Sequence, residues 1–305
     1  MKKFWIKVLF FLLIIWALAA VISAISMNRQ GASVRDGSSS TTTAFKLVVD
    51  SLISYPNPKI RSESAVVVDL ADGRVLLKKN EYAVRPIASL TKLATALVFL
   101  SVNPDLSKVV TIERADREGA GRSRLYSGSQ VTLGDIFNLM LICSDNVAAR
   151  VLARSTSLTP ELFVERMNEL ALDLNLAHTH FSEPTGLDPA NVSTAAECAV
   201  LLKAALDHDQ IANVISLKNY SFKPLNRKRI YTVNNTNRML FGRADIIGGK
   251  TGYICESGYC LALCADQGGR RLATIVLGAP TSGTRFRDAA RLLTSVPGNQ
   301  RIAIN

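Results

Sequence analysis

The chain has 305 residues, of which 48% are hydrophobic, and its formal net charge is +11. This length and hydrophobic content place it among globular proteins with a sizeable core, in one large domain or two small ones. The basic balance favours an anionic neighbourhood such as anionic lipid or cell wall, and because helix-turn-helix, zinc-finger and RNP patterns are absent from the sequence, we expect no nucleic-acid partner.

The N-terminus predicts export. Lysines precede an uncharged stretch of twenty residues, Val8–Met27. Such a stretch after a basic start predicts that residues 1–27 are a signal peptide or an N-terminal membrane anchor. Its length favours the anchor, whereas Ala24-Ile25-Ser26 would suit cleavage. In either case we expect the rest of the chain in the periplasm, or at the extracytoplasmic face of the inner membrane.

Downstream of this segment, composition divides the chain. Residues 28–43 have almost nothing to bury and are predicted to form a flexible linker. Residues 44–296 are predicted to form one folded domain, followed by a tail over residues 297–305. Early in the domain, Ser64–Leu70 and Arg74–Leu77 flank an Asp-Gly turn and predict a β-hairpin.

The next stretch, Pro86–Leu100, predicts a buried helix that carries two polar groups in an apolar setting. From Leu93 onwards every residue except Thr95 is apolar, which is typical of a helix in the centre of a domain. Proline marks the predicted start. Ser89 would then lie near the helix N-terminus, with Lys92 three residues later on the same face.

This Ser-x-x-Lys pair has two interpretations. A lysine beside so apolar a run is partly desolvated, which lowers its pKa and favours the neutral amine. Lys92 would then take the hydroxyl proton of Ser89, and the helix dipole would favour the alkoxide. Taken alone, Ser89 also fits a helix N-cap, and Lys92 fits a side chain that extends its ammonium to the surface.

The region after residue 132 predicts an all-helical lobe. Its apolar residues recur every 3.6 positions in Gly134–Ala153, Pro160–Leu174 and Thr194–Leu206. Inside the first stretch, Ser144-Asp145-Asn146 fits a helix cap for Val147–Ala153. The functional alternative is that Ser144 Oγ relays a proton in a cleft while the amide of Asn146 binds a substrate amide.

Strands and a helix are predicted to close the domain. The strands are Ala244–Ile254, Tyr259–Ala265 and Arg271–Gly278, and the helix is Thr284–Leu293. With the early hairpin they predict an α+β domain: an antiparallel five-stranded sheet flanked by helices, with the helical lobe inserted. A basic cluster just before them, consisting of Lys223, Arg227, Lys228 and Arg229, is expected to be a solvated face.

The first of these strands carries Lys250-Thr251-Gly252. Neighbouring glycines let a ligand or another part of the chain approach the backbone closely. Lys250 would supply a fixed positive charge for a carboxylate, and like-charge repulsion from it would help to keep the amine of Lys92 neutral. Taken alone, an exposed strand lysine near a turn fits equally well.

The cysteines and histidines do not predict a metal site. The cysteines are Cys143, Cys198, Cys255, Cys260 and Cys264, and they lack metal-ligand spacing. Cys255 and Cys260 could face each other across a hairpin as a disulfide, but buried free thiols are favoured. His178, His180 and His208 share no ligand spacing. We therefore expect neither a metal nor a cofactor.

Together, the three motifs resemble one superfamily. A Ser-x-x-Lys, a Ser-Asp-Asn and a late Lys-Thr-Gly form the set of β-lactamases and penicillin-binding proteins. The chain most resembles the low-molecular-mass serine D-Ala-D-Ala peptidases. Residues 84–89, 180–195 and 235–237 look like the penicillin-binding protein 7 type of D,D-endopeptidase. The resemblance extends over residues 44–296 and implies the β-lactamase/DD-peptidase-like fold.

This resemblance implies an acyl-enzyme mechanism on peptidoglycan, with β-lactams as inhibitors. Ser89 would attack the carbonyl of a D-alanyl bond, Lys92 would be the general base, and Ser144 would pass a proton to the leaving amine. The backbone N–H groups of Ser89 and Tyr253 would form the oxyanion hole. The implied substrate-binding residues are Asn146, Lys250, Thr251 and Gly252.

The resulting functional prediction is a serine-type D-Ala-D-Ala carboxypeptidase, a D,D-endopeptidase, or both. A β-lactamase would need a deacylating Glu-x-x-x-Asn loop, but Glu165 and Glu169 fall in a helical pattern without it. A penicillin-binding sensor would be expected to lose a catalytic group, and all three motifs are intact. The short C-terminus favours the compact endopeptidase type. Tyr253 is a departure, because carboxypeptidases of the group often have histidine at this position.

Overall fold

The computed structural model describes residues 47–48, 58–243 and 245–296. The predicted N-terminal segment, linker and tail (1–27, 28–43 and 297–305) lie outside the described residues and stay predictions. Within the described part of the chain, the helices are too short or too polar to cross a membrane.

The strands of the described residues are numbered in chain order. They are β1 (Ser64–Asp69), β2 (Val75–Lys79), β3 (Arg85–Pro86), β4 (Val109–Thr111), β5 (Gln130–Thr132), β6 (Val192–Ser193), β7 (Asn219–Phe222), β8 (Tyr231–Asn234), β9 (Ile246–Ile254), β10 (Gly258–Gln267) and β11 (Arg270–Ala279). The helices are α1 (Lys92–Ser101), α2 (Arg114–Arg117), α3 (Leu133–Ile142), α4 (Asn146–Arg154), α5 (Pro160–Asp173), α6 (Ala195–Leu206), α7 (Asp209–Ser216), α8 (Met239–Gly242) and α9 (Ser282–Ser295).

The main sheet has five strands in the order β2-β1-β11-β10-β9, and all neighbours are antiparallel. Successive side chains of a strand point to opposite faces of a sheet. In β1, Val67 packs with Leu293 of α9 on one face, while Val66 belongs to the core shared with α1 on the other. The predicted antiparallel five-stranded sheet flanked by helices, with its inserted helical lobe, is confirmed.

One buried carboxylate joins the two ends of this domain. Asp288 of α9 accepts hydrogen bonds from the backbone N–H of Arg61 and Ser62, at 2.9 and 2.8 Å, and from Ser62 Oγ at 2.6 Å. Asp288 is almost completely buried. A buried charge needs such partners, so the final helix is fixed to the residues that precede β1.

The start of the central helix differs from the prediction. Pro86 lies in β3, where it pairs with Val192, and the α-helix begins only at Lys92. Between them, Ala88–Thr91 form a 3-10 turn. The physical reason is that Ala88 has a φ of +47°, a left-handed conformation that an α-helix cannot contain.

The helical lobe also differs in detail. The predicted stretch Gly134–Ala153 is two helices, α3 and α4, because Ser144 between them has a φ of +61°. Asp145 caps α4 by accepting from Ala148 N–H, as expected for that residue type. Helix α7 and the β7–β8 hairpin lie where the sequence analysis predicted no element.

The cysteines of the chain are all unpaired. Cys255 is exposed and Cys260 is buried, so the disulfide considered for this pair is not formed. Burial raises the pKa of Cys198 and of Cys264 to about 12, which keeps both thiols protonated.

Candidate active site

Three separate parts of the fold meet around one serine. Ser89 lies in the 3-10 turn, and Lys92 is the first residue of α1. Ser144 and Asn146 lie at the junction of α3 and α4. Lys250 is in the middle of β9, which is an edge strand of the sheet.

The side chain of Lys92 is completely buried, and its Nζ has three oxygen neighbours. They are Ser89 Oγ at 2.9 Å, Asn146 Oδ1 at 2.6 Å and the backbone oxygen of Thr185 at 2.5 Å. An amide oxygen and a backbone carbonyl can only accept hydrogen bonds, so both take an N–H from Lys92. The third tetrahedral position of the nitrogen faces the serine hydroxyl. In the neutral amine, that position is a lone pair.

The environment favours this neutral form. Burial lowers the pKa of Lys92 to about 7, against the opposing effect of the carboxylates of Glu183 and Asp145. Desolvation is therefore the main effect, as the apolar helix suggested. We expected the charge of Lys250 to lower the pKa of Lys92. The repulsion instead lowers the pKa of Lys250, which is well below its usual value because of burial and, after that, the charge of Lys92.

Lys250 forms a second lysine–serine pair. Its Nζ donates to Ser144 Oγ at 2.6 Å and to the backbone oxygen of Thr251 at 2.9 Å. The hydroxyl of Thr251 donates to Thr236 Oγ1 at 2.7 Å. Since Ser144 Oγ accepts from Lys250, the hydroxyl proton of Ser144 is available for another acceptor.

Strand β9 lies against Ser89 because residue 252 is glycine. A Cβ at Gly252 would be 2.9 Å from both the backbone nitrogen of Ser89 and the backbone oxygen of Ile87. The next residue, Tyr253, is about half exposed. The nearly buried Arg285 of α9 donates from Nη1 to the carbonyl of Gly252 at 3.0 Å, which fixes this part of the strand.

Two strained residues lie beside the two serines. Ala88 precedes Ser89 with a φ of +47°, and Ser144 itself has a φ of +61°. Left-handed conformations of non-glycine residues cost of order 1–3 kcal/mol and are concentrated at functional sites. The local strain is therefore consistent with a catalytic role for both positions.

The site also contains residues that sequence reasoning did not single out. Thr185 contributes a backbone oxygen to Lys92. Gly186 has a φ of +79° and packs against the peptide between Ala88 and Ser89. The Glu183 carboxylate accepts from the backbone N–H of Thr185 at 2.7 Å, and also from Gly186 N–H, so it fixes the loop. Because Thr185 contributes its backbone oxygen, the type of its side chain does not indicate this role.

Potential metal ligands are not clustered in the part of the chain that the structure describes. Across residues 47–48, 58–243 and 245–296, the structure contains no group of three or more His, Cys, Asp or Glu side chains able to hold a metal ion. His178 instead pairs with Glu197, with Nδ1 2.9 Å from Oε1.

Comparison with known families agrees with this geometry. Residues 52–281 match the D-alanyl-D-alanine carboxypeptidase family, which is most of the chain. The chain belongs to this family.

The proteins similar to this chain include both D-alanyl-D-alanine endopeptidases and D-alanyl-D-alanine carboxypeptidases. The D-alanyl-D-alanine endopeptidase of Pseudomonas aeruginosa is 35% identical over 81% of this chain and 80% of its own length. A D-alanyl-D-alanine carboxypeptidase of Bacillus subtilis is 31% identical over 76% of this chain and 61% of its own length. The crystal structure of the Streptomyces K15 DD-transpeptidase superposes with a TM-score of 0.74 at 28% identity, covering 79% of this chain and 98% of that one.

In this member of the carboxypeptidase family, we expect Gly186 to be essential for acylation. A Cβ there would lie 2.0 Å from the backbone oxygen of Ala88 and 2.9 Å from Ser89 N. In Gly186→Ala the nucleophile must move, and a displacement of about 1 Å costs roughly 100-fold in rate. The measurement is the rate of labelling by a fluorescent penicillin.

The matched control for this prediction is Gly268→Ala. Gly268 has a φ of +68°, so its backbone strain on substitution is comparable, but a Cβ there meets nothing within 4 Å. We expect labelling within about twofold of wild type for this variant, because local backbone strain alone leaves a distant site intact. If circular dichroism shows that both variants are folded, equal labelling rates would contradict the prediction that Gly186 positions Ser89 for acylation.

Proposed function

We propose that this protein is a serine-type D-alanyl-D-alanine peptidase that cleaves peptidoglycan stem peptides through an acyl-enzyme at Ser89. The observation that carries the proposal is the environment of Lys92 Nζ. Two of its hydrogen bonds go to oxygens that can only accept, and the remaining position faces Ser89 Oγ at 2.9 Å. Membership of the carboxypeptidase family and both sets of peptidase relatives support it.

In the first step, neutral Lys92 takes the hydroxyl proton of Ser89 as Oγ attacks the carbonyl carbon of the D-alanyl residue. The carbonyl oxygen then carries negative charge. The backbone N–H groups of Ser89 and Tyr253 are the proposed donors to it. Support for this pair is the close approach of β9, whose Gly252 lies directly against Ser89 N.

In the second step, the C–N bond breaks and the leaving amine takes a proton from Ser144, which in turn receives the proton that Lys92 took from Ser89, so that Lys92 is neutral again. Ser144 is suited to this role because Lys250 donates to its oxygen at 2.6 Å, which leaves its own proton directed elsewhere. Lys250 and Thr251 are proposed to bind the carboxylate next to the scissile bond. Asn146 is proposed to bind the peptide group of the substrate. Water then attacks the ester of Ser89, with Lys92 again as the base.

The proposed substrate class is peptides that end in, or are crosslinked through, D-alanine. Cleavage of a terminal D-Ala–D-Ala bond and of a D-Ala–meso-diaminopimelate crosslink needs the same groups, since each places a carboxylate beside the scissile amide. A β-lactam presents an amide carbonyl and a carboxylate in a similar arrangement. We therefore propose penicillin as an acylating inhibitor of the same serine.

Benzylpenicillin gives a direct test of the nucleophile. We expect intact-protein mass spectrometry to show one added penicillin on wild type, and none on Ser89→Ala, because the hydroxyl proposed to attack the β-lactam carbonyl is absent from that variant. Ser107→Ala, which removes an exposed turn serine, is the matched control and should be acylated like wild type.

Muropeptide digestion separates the competing functions in the same preparation. Wild type should hydrolyse crosslinked or pentapeptide muropeptides, and benzylpenicillin should block the reaction. Rapid turnover of nitrocefin without a stable adduct would indicate a β-lactamase instead. Acylation without any muropeptide cleavage would indicate a sensor.

The pH dependence of acylation follows from the lowered pKa of Lys92, which is about 7. Below that pH the amine is protonated and cannot accept the proton of Ser89. The second-order rate constant for benzylpenicillin should therefore fall about tenfold per pH unit below 7 and level off above it. A rate that keeps rising to pH 10, in protein that circular dichroism shows to be folded, would rule out a desolvated lysine as the base.

We further propose that the peptidase domain acts outside the cytoplasm, attached through residues 1–27 if that segment is not cleaved. The basic start and the uncharged stretch Val8–Met27 support this. Mass spectrometry of the mature N-terminus from cell fractions is the test. Retention of Met1 in the membrane fraction supports an anchor, a new N-terminus near residue 27 supports cleavage, and recovery in the cytosol contradicts both.

A further inference from the structure

A second cleft opens directly beside Ser144. It has a volume of about 580 Å³, and the two residues that flank Ser144, Cys143 and Asp145, form part of its wall. The rest of the wall comes mainly from the segment 117–126, which connects α2 to β5. The cleft therefore lies next to the residue that is the proposed proton donor to the leaving amine.

The segment is fixed to the catalytic motif by two hydrogen bonds. Ser123 Oγ donates to Asp145 Oδ2 at 2.6 Å, and Asn146 Nδ2 donates to the backbone oxygen of Ala120 at 2.9 Å. Asn146 is also the residue whose Oδ1 binds Lys92. The position of the segment relative to the two lysine–serine pairs is therefore defined by side chains of the motif itself.

The wall of this cleft is positively charged. Arg117 stacks over the ring of Tyr126, with its guanidinium carbon 5.4 Å from the ring centroid, and donates to the backbone of Leu125. Arg122 and Arg124 are exposed, and within the described part of the chain neither has a hydrogen bond or an ion pair. Two guanidinium groups thus remain available to a ligand.

The acidic group in the wall is not free to pair with them. Asp145 is buried, and its two carboxylate oxygens already accept from Ser123 Oγ and from the backbone N–H of Ala148. Beyond the cleft the positive surface continues, since Arg227 also stacks on Tyr126, at 5.9 Å, and binds Ser129 Oγ at 2.8 Å. Of the basic cluster that was expected to be a solvated face, Arg227 therefore lies beside the cleft.

We propose that this arginine cleft binds a carboxylate of the peptide that leaves during acylation. The proposal rests on the proposed function and deepens it.

The leaving amine lies at Ser144, so a leaving peptide longer than one residue must continue past Cys143 and Asp145. Guanidinium groups bind carboxylates in a bidentate manner. A crosslinked stem peptide carries further carboxylates beyond the leaving amine, whereas a single leaving D-alanine has only the one proposed to bind Lys250 and Thr251. The cleft thus favours crosslinks over free termini.

The first experiment removes the two free charges in Arg122→Gln/Arg124→Gln. We expect kcat/KM for a purified crosslinked muropeptide dimer to fall about tenfold or more, the effect of losing charge-assisted hydrogen bonds. Acylation by benzylpenicillin, which has no leaving peptide, should stay within about twofold of wild type. The matched control is Lys108→Gln/Arg166→Gln, which removes two exposed cations outside the cleft and should leave both rates unchanged.

The second experiment changes the substrate. A dimer whose leaving strand has its carboxylates amidated, except the one beside the scissile amide, should be cleaved about tenfold more slowly by wild type, and equally by wild type and the arginine variant. For the arginine variant, an equal loss on penicillin and dimer, or an unchanged rate on the dimer, would overturn the inference. So would faster cleavage of the amidated dimer by wild type than by the arginine variant, or no cleavage of dimers by a wild-type preparation that benzylpenicillin is able to acylate. Failure of folded wild type to be acylated at all would instead overturn the proposed function.

Discussion

The structure depends on one buried amine. Lys92 is completely buried on an otherwise apolar helix, and a buried ammonium without a fixed partner is costly. The fold supplies two fixed acceptors from distant parts of the chain, the backbone oxygen of Thr185 and the amide oxygen of Asn146. These satisfy two N–H groups and direct the remaining position to Ser89. The same burial lowers the pKa of the amine to about 7, so one constraint provides both the geometry and the basicity.

Charge around this amine is unbalanced in a way that suits an anionic ligand. Lys250 is as deeply buried as Lys92, and burial lowers the pKa of the nearby Arg285 to about 10. The carboxylates that face Lys92, Glu183 and Asp145, are already engaged as acceptors of backbone N–H groups. A substrate that brings its own carboxylate therefore meets buried basic groups, and its negative charge favours their protonated forms.

Sequence patterns predicted the features that depend on residue type and on the spacing of apolar residues. The apolar run after Ser89, the glycines around Lys250 and the alternating strands led to the sheet and to the main site residues. What they missed is imposed by tertiary contacts. The left-handed conformation of Ala88 is held by the Gly186 loop packed against it, and it overrides the helix that local propensity favours. Thr185 acts through its backbone, so side-chain type could not reveal it.

The connection between Ser62 and Asp288 spans 226 residues of sequence, and β1 pairs directly with β11. Contacts so distant along the chain form late, because the loop between them must close first. Helices α3 and α4, which are adjacent in sequence and pack against each other, can gain structure before those contacts form. Lys250 reaches Ser144 from β9, a strand near the C-terminal end of the domain. Completion of the site around Ser89 is therefore a late event in folding, after all three motifs have been synthesised.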